Sequence, residues 1–298
     1  MCSIPRRTFL LSRRPARSNV VRSHRLILRF SKVWADATVT PRLGGTRENF
    51  LGASGLFVRF DKILRKIVTL NHPIFARWPA RYPDRLQLFS LPTPNGVKVA
   101  IMLEEAGLAY EPHRVDIMVN EHHDPVFLAL NPNGKIPAIY DPDGPRGQPL
   151  ALFESGAILI YLAEKTGQFL SSDPGIRYET IQWVIWQVGG VGPMFGQVGF
   201  FNKFAGKDYE DKRPRDRYVS ESARLLGVLD NRLVGRDWVM GADYSIADIS
   251  LLGWVRNLIG FYEAGEIVGF ERFARVQGWL DRCLARPAVQ RGLEVTTA

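Results

Sequence analysis

The sequence predicts an α/β domain followed by an all-α domain. Between residues 84 and 168, short segments with the alternation typical of strands are interleaved with segments of helical periodicity, in the order βαβ, α, ββα. Over residues 176–298 the strand signals fade and helical periodicity persists. The chain has 298 residues, of which 46% are hydrophobic, and it is therefore long enough for two domains with separate cores.

The first three elements are a strand, a helix and a second strand. Residues 86–89 alternate as a strand does, and the Pro-rich turn at 91–96 ends that strand. Gly107 helps to end the helix that follows, and residues 110–116 are predicted to form the second strand. The apolar face of this helix contains Val97, Ala100, Ile101, Leu103 and Leu108.

A short helix, a hairpin and a longer helix complete the first domain. The short helix is predicted around residues 125–130, and the hairpin strands at 136–140 and 149–152 are joined by a turn rich in Gly and Pro. The longer helix covers residues 155–165, and Gly167 marks its end. This order of elements is that of a thioredoxin-like domain.

A linker and a helical domain follow. The linker is predicted at residues 171–175, whose sequence is Ser-Ser-Asp-Pro-Gly. The clearest helix start beyond it is a capping box, in which the Ser245 hydroxyl bonds a backbone N–H and the Asp248 carboxylate reaches back. Cys283 lies in a segment of helical spacing and is predicted to be a small buried side chain and not a catalytic thiol.

The net charge of +9 is confined to the first part of the chain. Residues 1–35 hold eight Arg, one Lys and no Asp or Glu, so that residues 36–298 contain 30 basic and 30 acidic residues. Because residues 36–298 are formally neutral, they offer no broad basic surface for a phosphate backbone, and we therefore predict no nucleic-acid partner. No run of eighteen apolar residues occurs, which predicts a chain that does not span a membrane.

Residues 1–68 are predicted to be a basic extension and not a packed domain, because they are rich in Arg and Ser and lack clean periodicity. Two interpretations stay open. The extension is either an organelle transit segment or the product of a start site assigned too far upstream. We favour the second interpretation, because the transit signal is compositional only and the segment is longer than such a signal needs.

Cysteine and histidine usage gives no sign of a disulfide scaffold or of a metal site. Cys2 and Cys283 are the two cysteines, and the five histidines are scattered, so that we predict no metal cofactor. This cysteine usage fits reducing conditions and predicts a cytoplasmic protein.

Three short segments stand where a strand ends or a helix begins. They are Leu-Pro-Thr-Pro-Asn-Gly at 91–96, Asn-Gly-Lys-Ile-Pro at 133–137 and Phe-Glu-Ser-Gly at 153–156. Backbone groups at such places lack internal partners and can hold a peptide-like ligand. None of the three segments contains a cysteine. A thiol-redox fold with this sequence must therefore take its sulfur from a bound cosubstrate.

Together, these segments and the helical second half resemble the glutathione transferase superfamily, over residues 80–298. The segments Asn-Pro-Asn-Gly-Lys-Ile-Pro-Ala-Ile at 131–139 and Leu-Phe-Glu-Ser-Gly at 152–156 look most like its nu-class, Ure2-like branch. The combination is specific, whereas one motif alone would be weak. The resemblance implies an enzyme with glutathione as cosubstrate, a homodimer and glutathione-dependent disulfide reductase activity. A small disulfide or an electrophile would be the second substrate.

Glutathione, γ-Glu-Cys-Gly, needs groups for its two ends and for its backbone. Glu154 can pair with the α-ammonium, and Ser155 with the helix it opens can donate to the γ-glutamyl carboxylate. Simple helix capping is the structural alternative for both residues. By resemblance, the Ile136–Pro137 bond is expected to be cis, so that Ile136 pairs with the cysteinyl backbone.

Two cations and two donors complete the predicted site. Lys135 is expected near the glycyl carboxylate, and Arg217 aligns with an arginine that the family uses near glutathione. Thr93 and Asn95 are predicted to be catalytic, because hydrogen-bond donors near sulfur stabilise the thiolate and lower its pKa. The alternative for the segment is a Pro-flanked turn in which Asn supplies local hydrogen bonds.

The familiar transferases have Tyr, Ser or Cys where this chain has Thr93 and Asn95, and this departure favours disulfide chemistry over conjugation. Two other functions remain open at this point. The same thiolate could attack an electrophile, or the fold could belong to a non-catalytic regulator. An intact set of predicted glutathione-binding residues argues against the regulator.

Overall fold

A computed structural model describes residues 72–295 of the chain. The predicted basic extension, residues 1–68, lies outside the described residues, as does Cys2. The strands are β1 (Leu86–Ser90), β2 (Tyr110–Arg114), β3 (Ala138–Asp141) and β4 (Leu150–Phe153). The helices are α1 (Gly96–Glu105), α2 (Pro125–Leu128), α3 (Ser155–Thr166), α4 (Pro174–Trp186), α5 (Gly192–Asn202), α6 (Arg213–Arg232), α7 (Ile246–Ile259), α8 (Ala274–Leu284) and α9 (Pro287–Glu294).

The first domain is a four-stranded mixed sheet with the strand order β2-β1-β3-β4. Strand β1 runs parallel to β2 and antiparallel to β3, and β4 is antiparallel to β3. Because side chains alternate along a strand, Leu88 of β1 packs with α1 and α3 whereas its neighbour Phe89 packs on the opposite face. This arrangement confirms the thioredoxin-like domain and the helical second domain that the sequence predicts.

The core of the first domain includes residues that precede the predicted start at 84. Ile74, Phe75 and Trp78 are buried against the sheet face that also carries Phe89. The indole Nε1 of Trp78 donates to the carbonyl of Arg114 at 2.9 Å, which ties this segment to the end of β2. The sequence gives little sign of this packing, because the segment is a short 3-10 turn with no helical or strand period.

The predicted ends of two helices agree with the structure. After α1, Gly107 has a φ of +63°, and after α3, Gly167 has a φ of +67° and its N–H bonds the carbonyl of Ala163. A positive φ is easily adopted only by glycine. The predicted linker at 171–175 is wrong at its end, because the Asp173 side chain caps the backbone of Ile176 and helix α4 already begins at Pro174.

Helix α7 is the centre of the second domain and is buried over most of its length. The predicted capping box at its start is confirmed, with the Ser245 side chain and the Asp248 carboxylate both engaged. Asp248 is fully buried and also accepts hydrogen bonds from the backbone N–H of Val239 and the indole of Trp279, at 2.8 and 2.9 Å. Cys283 is buried, as predicted.

The two domains share one continuous apolar core, and helix α1 lies at their junction. A Cβ added at Gly292 of α9 would lie 2.6 Å from the Ile101 Cα of α1, so the two helices touch at backbone range. Arg286 donates two hydrogen bonds to Glu105 of α1, at 2.6 and 2.8 Å. In residues 72–295, no helix has the length and apolar character needed to cross a bilayer.

Candidate functional site

The turn between β1 and α1 holds Thr93 and Asn95. Thr93 caps the helix: its Oγ1 accepts the N–H of Gly96 at 3.2 Å, and its carbonyl accepts the N–H of Val97 at 3.0 Å. Because the hydroxyl oxygen acts here as an acceptor, its hydrogen can still be donated to another group. A Cβ at Gly96 would lie 1.9 Å from the Leu91 carbonyl oxygen, so only glycine fits at this position of the turn.

Asn95 does not supply the local hydrogen bonds that an ordinary turn asparagine would supply. Its side chain makes no capping bond to α1. Instead, its Oδ1 accepts a hydrogen bond from the indole Nε1 of Trp254, on α7 of the second domain, at 2.9 Å. Thr93 makes the local hydrogen bond that caps α1, whereas the Asn95 amide is held by Trp254, 159 positions further along the chain.

The loop before β3 contains the second predicted segment. The Ile136–Pro137 peptide bond is cis, as expected, and Ile136 is half-buried. The Asn131 side chain donates to the Lys135 carbonyl at 2.5 Å and holds the loop in place. The Lys135 side chain is exposed.

Glu154 and Ser155 join β4 to α3. Glu154 has φ +69° and ψ +110°, an unusual conformation for a residue with a side chain, and its carboxylate makes no capping hydrogen bond to the helix. Simple capping therefore does not account for Glu154. Ser155 is buried at the first position of α3, and its Oγ accepts a hydrogen bond from Lys98 Nζ at 3.2 Å.

Sequence reasoning missed Lys98. Its side chain is 1% exposed, and its ammonium also donates to the Oε1 of Gln187 across the domain junction. The signal in the sequence was that Lys98 is the only charged residue among the first eight positions of α1. In the structure all eight of these positions are buried. A helix that is apolar all round is buried on every side, so a single charge within it needs a partner from the covering domain.

Gln187 begins a π-helical turn, Gln187–Val191, between α4 and α5. Such turns interrupt the regular ladder and often occur at functional sites. Gln187 is 1% exposed, and in the part of the chain that the structure describes its Nε2 has no hydrogen-bond partner. The Gln187 amide therefore has a donor free for a ligand.

Burial determines the ionisation of Lys98. Loss of hydration lowers the pKa of its ammonium to about 7, and the negative charge of Glu154 partly opposes this shift. Burial raises the pKa of the Cys283 thiol well above its usual range, so that this cysteine is not a nucleophile at neutral pH.

A cavity of about 350 Å³ lies between the domains, within the size range of small-molecule sites. It brings together Asn95, Glu154 and Ser155 from the predicted set. Thr93 and the predicted residues of the 133–137 segment are not part of its lining, and Arg217 is exposed on α6. The lining consists of Asn95, Lys98, Glu154, Ser155, Gln187, Val188, Gly192, Pro193, Gly196, Gln197 and Trp254.

The cavity offers the groups that an extended zwitterionic ligand needs. Glu154 provides a negative charge for an ammonium, whereas Ser155, Lys98 and the N-terminus of α3 offer donors for a carboxylate. Asn95 stands at the N-terminus of α1, where backbone N–H groups also attract an anion. Among residues 72–295, no group of His, Cys, Asp and Glu has an arrangement that could hold a metal ion.

Two family models match the chain. The model of the glutathione S-transferase N-terminal domain matches residues 84–164, and that of the C-terminal domain matches residues 193–287. The chain belongs to the glutathione S-transferase family. Within this glutathione S-transferase, the first match contains Asn95, Glu154 and Ser155, and the second contains Trp254.

Relatives of this glutathione S-transferase include a curated protein and two solved structures. The disulfide-bond oxidoreductase YfcG of Escherichia coli K12 is 44% identical over 211 residues, which are 70% of this chain and 94% of YfcG. A family member from Pseudomonas fluorescens Pf-5 with two glutathione bound is 63% identical, with a TM-score of 0.75, over 76% of this chain and 99% of that chain. A transferase from Pseudomonas putida with one glutathione disulfide per subunit is 64% identical, with a TM-score of 0.74, over 75% and 96% of the two chains.

Proposed function

We propose that this chain is a glutathione-dependent disulfide-bond reductase that uses the thiolate of bound glutathione as its nucleophile. One observation carries the proposal: Asn95, at the N-terminus of α1, lines the same cavity as Glu154 and Ser155, while the single described cysteine is buried elsewhere. The site thus has groups for a thiol peptide but no thiol. The relation to YfcG, a disulfide-bond oxidoreductase, supports the same reaction.

In the proposed complex, Glu154 pairs with the α-ammonium of glutathione and Ser155 donates to the γ-glutamyl carboxylate. Lys98 holds the Ser155 hydroxyl in place, because its Nζ donates a hydrogen bond to the Ser155 Oγ at 3.2 Å. Ile136 pairs with the cysteinyl backbone, and Lys135 and Arg217 meet the outer parts of the tripeptide. Thr93 and Asn95 donate hydrogen bonds to the sulfur, which stabilise the charged form and lower the pKa of the thiol.

The reaction consists of two thiol–disulfide exchanges. The bound thiolate attacks one sulfur of the substrate disulfide, the S–S bond breaks, and the leaving thiolate takes up a proton. A second glutathione, as thiolate, then attacks the glutathione sulfur of the mixed disulfide and releases the second substrate thiol. Two glutathiones are oxidised to glutathione disulfide, and the substrate gains two electrons and two protons. The P. putida relative holds glutathione disulfide, the product of this sequence.

The assembly and compartment belong to the same proposal. The enzyme acts as a homodimer, and the exposed apolar side chains of α4, Tyr178 and Ile185, support a protein interface on that helix. Analytical ultracentrifugation tests this assembly. The enzyme acts in the cytoplasm, where glutathione is mostly reduced and where a free, buried thiol such as that of Cys283 is ordinary.

Steady-state rates test the proposed function. The purified protein is assayed with glutathione and 2-hydroxyethyl disulfide, and in parallel with glutathione and 1-chloro-2,4-dinitrobenzene. The proposal expects a much higher kcat/KM for the disulfide. A higher value for the electrophile would establish a conjugating transferase, and the absence of turnover with both substrates, in a protein that binds glutathione, would indicate a regulator.

A further inference from the structure

The indole of Trp254 crosses the domain junction to reach the predicted catalytic turn. Trp254 lies on the buried helix α7, its side chain is 8% exposed, and its Nε1 donates to Asn95 Oδ1 at 2.9 Å. Both residues line the cavity described above. The hydrogen bond therefore joins the second domain to a side chain that faces the ligand.

This bond decides which end of the Asn95 amide faces the cavity. An indole N–H can only donate, and an amide has one accepting end and one donating end. With Oδ1 held by Trp254, the Nδ2 group is left as the end available to a ligand. A flipped amide would instead offer an oxygen to the ligand, and its lone pairs would repel a thiolate.

Two glycines, Gly253 and Gly192, make room for this contact, and Gly196 lies against the indole. A Cβ at Gly253 would lie 2.7 Å from the Pro94 carbonyl oxygen, so that α7 meets the turn at backbone range. On α5, a Cβ at Gly192 would lie 3.2 Å from the Trp254 Nε1, and one at Gly196 would lie 3.4 Å from its Cη2. The indole is thus set in a close-fitting socket that restricts its movement.

We propose that Trp254 is a positioning residue, which orients the Asn95 amide so that its NH2 group donates to the glutathione sulfur. This inference rests on the proposed function, in which Asn95 stabilises the thiolate. It adds that the helical domain, through one indole, sets up the chemistry of the thioredoxin-like domain. Trp254 acts through Asn95 and need not touch the sulfur.

The test replaces Trp254 by Phe, which keeps most of the ring contact and removes the N–H. The thiolate absorbance of bound glutathione is titrated against pH in the wild type and in Trp254→Phe, and kcat and KM are measured with the disulfide. We expect the acid dissociation constant of the bound thiol to fall roughly three- to tenfold in Trp254→Phe, with a similar fall in kcat, because one hydrogen bond is lost. KM for glutathione should stay within about twofold, because the tripeptide is held elsewhere.

Trp183→Phe is the matched control. Trp183 Nε1 is also buried, but it has no hydrogen-bond partner among residues 72–295, so its loss should leave the thiol pKa unchanged. Gly192→Ala is a second variant that crowds the Trp254 Nε1 without removing it, and it should shift the thiol pKa in the same direction as Trp254→Phe. Its Cβ would also lie 2.9 Å from the Gln187 Nε2, so Gly192→Ala is combined with Asn95→Ala as well. A shift that acts through Trp254 and Asn95 should disappear in that background, whereas one that acts through Gln187 should persist. If Trp254→Phe does not fold, Gly192→Ala carries the test.

A double-mutant cycle with Asn95→Ala separates this inference from the proposed function. If Trp254 acts through Asn95, Trp254→Phe should cause no further loss in the Asn95→Ala background. Two outcomes would overturn the role of Trp254 and leave that of Asn95 intact. One is full additivity of the losses in kcat from Trp254→Phe and Asn95→Ala. The other is a thiol pKa that moves in Asn95→Ala but not in folded Trp254→Phe or Gly192→Ala. An unshifted thiol pKa in Asn95→Ala would overturn both.

Discussion

Glu154 combines a strained backbone with a carboxylate that makes no capping hydrogen bond. Its φ of +69° is that of a glycine position, and its side chain does not cap α3. Residues held in such regions cost of order 1–3 kcal/mol and often occur at binding sites, where the strain aims a side chain. At Glu154, the backbone points the carboxylate at the cavity that also contains Ser155.

We expect Glu154→Gly to make the protein more stable and worse at binding glutathione. Release of the backbone strain should raise the free energy of unfolding by about 1 kcal/mol. Loss of the charge-assisted hydrogen bond should weaken glutathione binding by roughly 1.5–3 kcal/mol. Denaturant unfolding and calorimetry measure the two quantities. Glu154→Gln is the control, with weaker binding and unchanged stability. A Glu154→Gly protein with full affinity would remove Glu154 from the site.

Lys98 should make stability rise with pH. The pKa of its ammonium is about 7 in the folded protein and returns to an ordinary value of 10.5 on unfolding. Between these pH values the unfolded chain binds a proton that the folded protein has released. The free energy of unfolding therefore gains up to about 1.4 kcal/mol per pH unit from pH 7 to pH 10.5, and this contribution is lost as pH falls.

Lys98→Met removes this titration, and the slope of stability against pH should flatten over the same window. Urea unfolding at several pH values, without glutathione, measures the slope. The control is Lys207→Met, because Lys207 is exposed and its replacement should leave the slope unchanged. Equal slopes in the wild type and in Lys98→Met would show that Lys98 stays protonated in the fold.

At the scale of elements, signals confined to a few neighbouring residues predicted the structure well. Gly167 and the Ser245–Asp248 box mark helix ends because their hydrogen bonds are local, and no knowledge of the partner domain is needed. Lys98 and Trp254 were missed for the opposite reason. Their partners, Gln187 and Asn95, are 89 and 159 positions away, and no short motif encodes such a contact.

Among the local structural features, removal of the Asp248 carboxylate is expected to cause the largest loss of stability. It accepts hydrogen bonds from four donors, on Val239, Ser245 and Trp279. Asp248→Ala leaves these buried donors without that acceptor and should lower the free energy of unfolding by at least about 3 kcal/mol. Chemical denaturation measures this loss. Asp281→Ala, an exposed position on α8, should cost less than about 0.5 kcal/mol. Similar losses in both variants would contradict the argument.

For the whole molecule, we expect residues 1–68 to be dispensable for glutathione binding, whereas residues 74–78 are needed for full stability. A shortened chain that begins at Asn71 should bind glutathione like the full chain. One that begins at Asp84 lacks the buried side chains of Ile74, Phe75 and Trp78 and should lose several kcal/mol of stability. Thermal melting and calorimetry compare the two. A well-folded chain beginning at Asp84 would contradict the role of this segment.

Removal of both cysteines should leave catalysis intact. The double variant Cys2→Ser/Cys283→Ser is expected to reduce 2-hydroxyethyl disulfide within about twofold of the wild-type rate, because the proposed nucleophile belongs to glutathione. A loss of stability is expected from Cys283→Ser, because it places a hydroxyl at a fully buried position. The rate is therefore compared at a temperature where both proteins are folded. An inactive folded variant would contradict the mechanism.

The contact between α9 and α1 has a consequence for how the protein is made. Helix α1 is covered on one side by α9, with Gly292 against Ile101 and Arg286 paired to Glu105. A ribosome releases α1 about 190 residues before α9, on the order of ten seconds or more at the usual rate of synthesis. During that interval the apolar side of α1 that α9 later covers lacks that cover. We therefore expect the nascent chain to expose this apolar side of α1, a surface of the kind that chaperones bind, until α9 emerges.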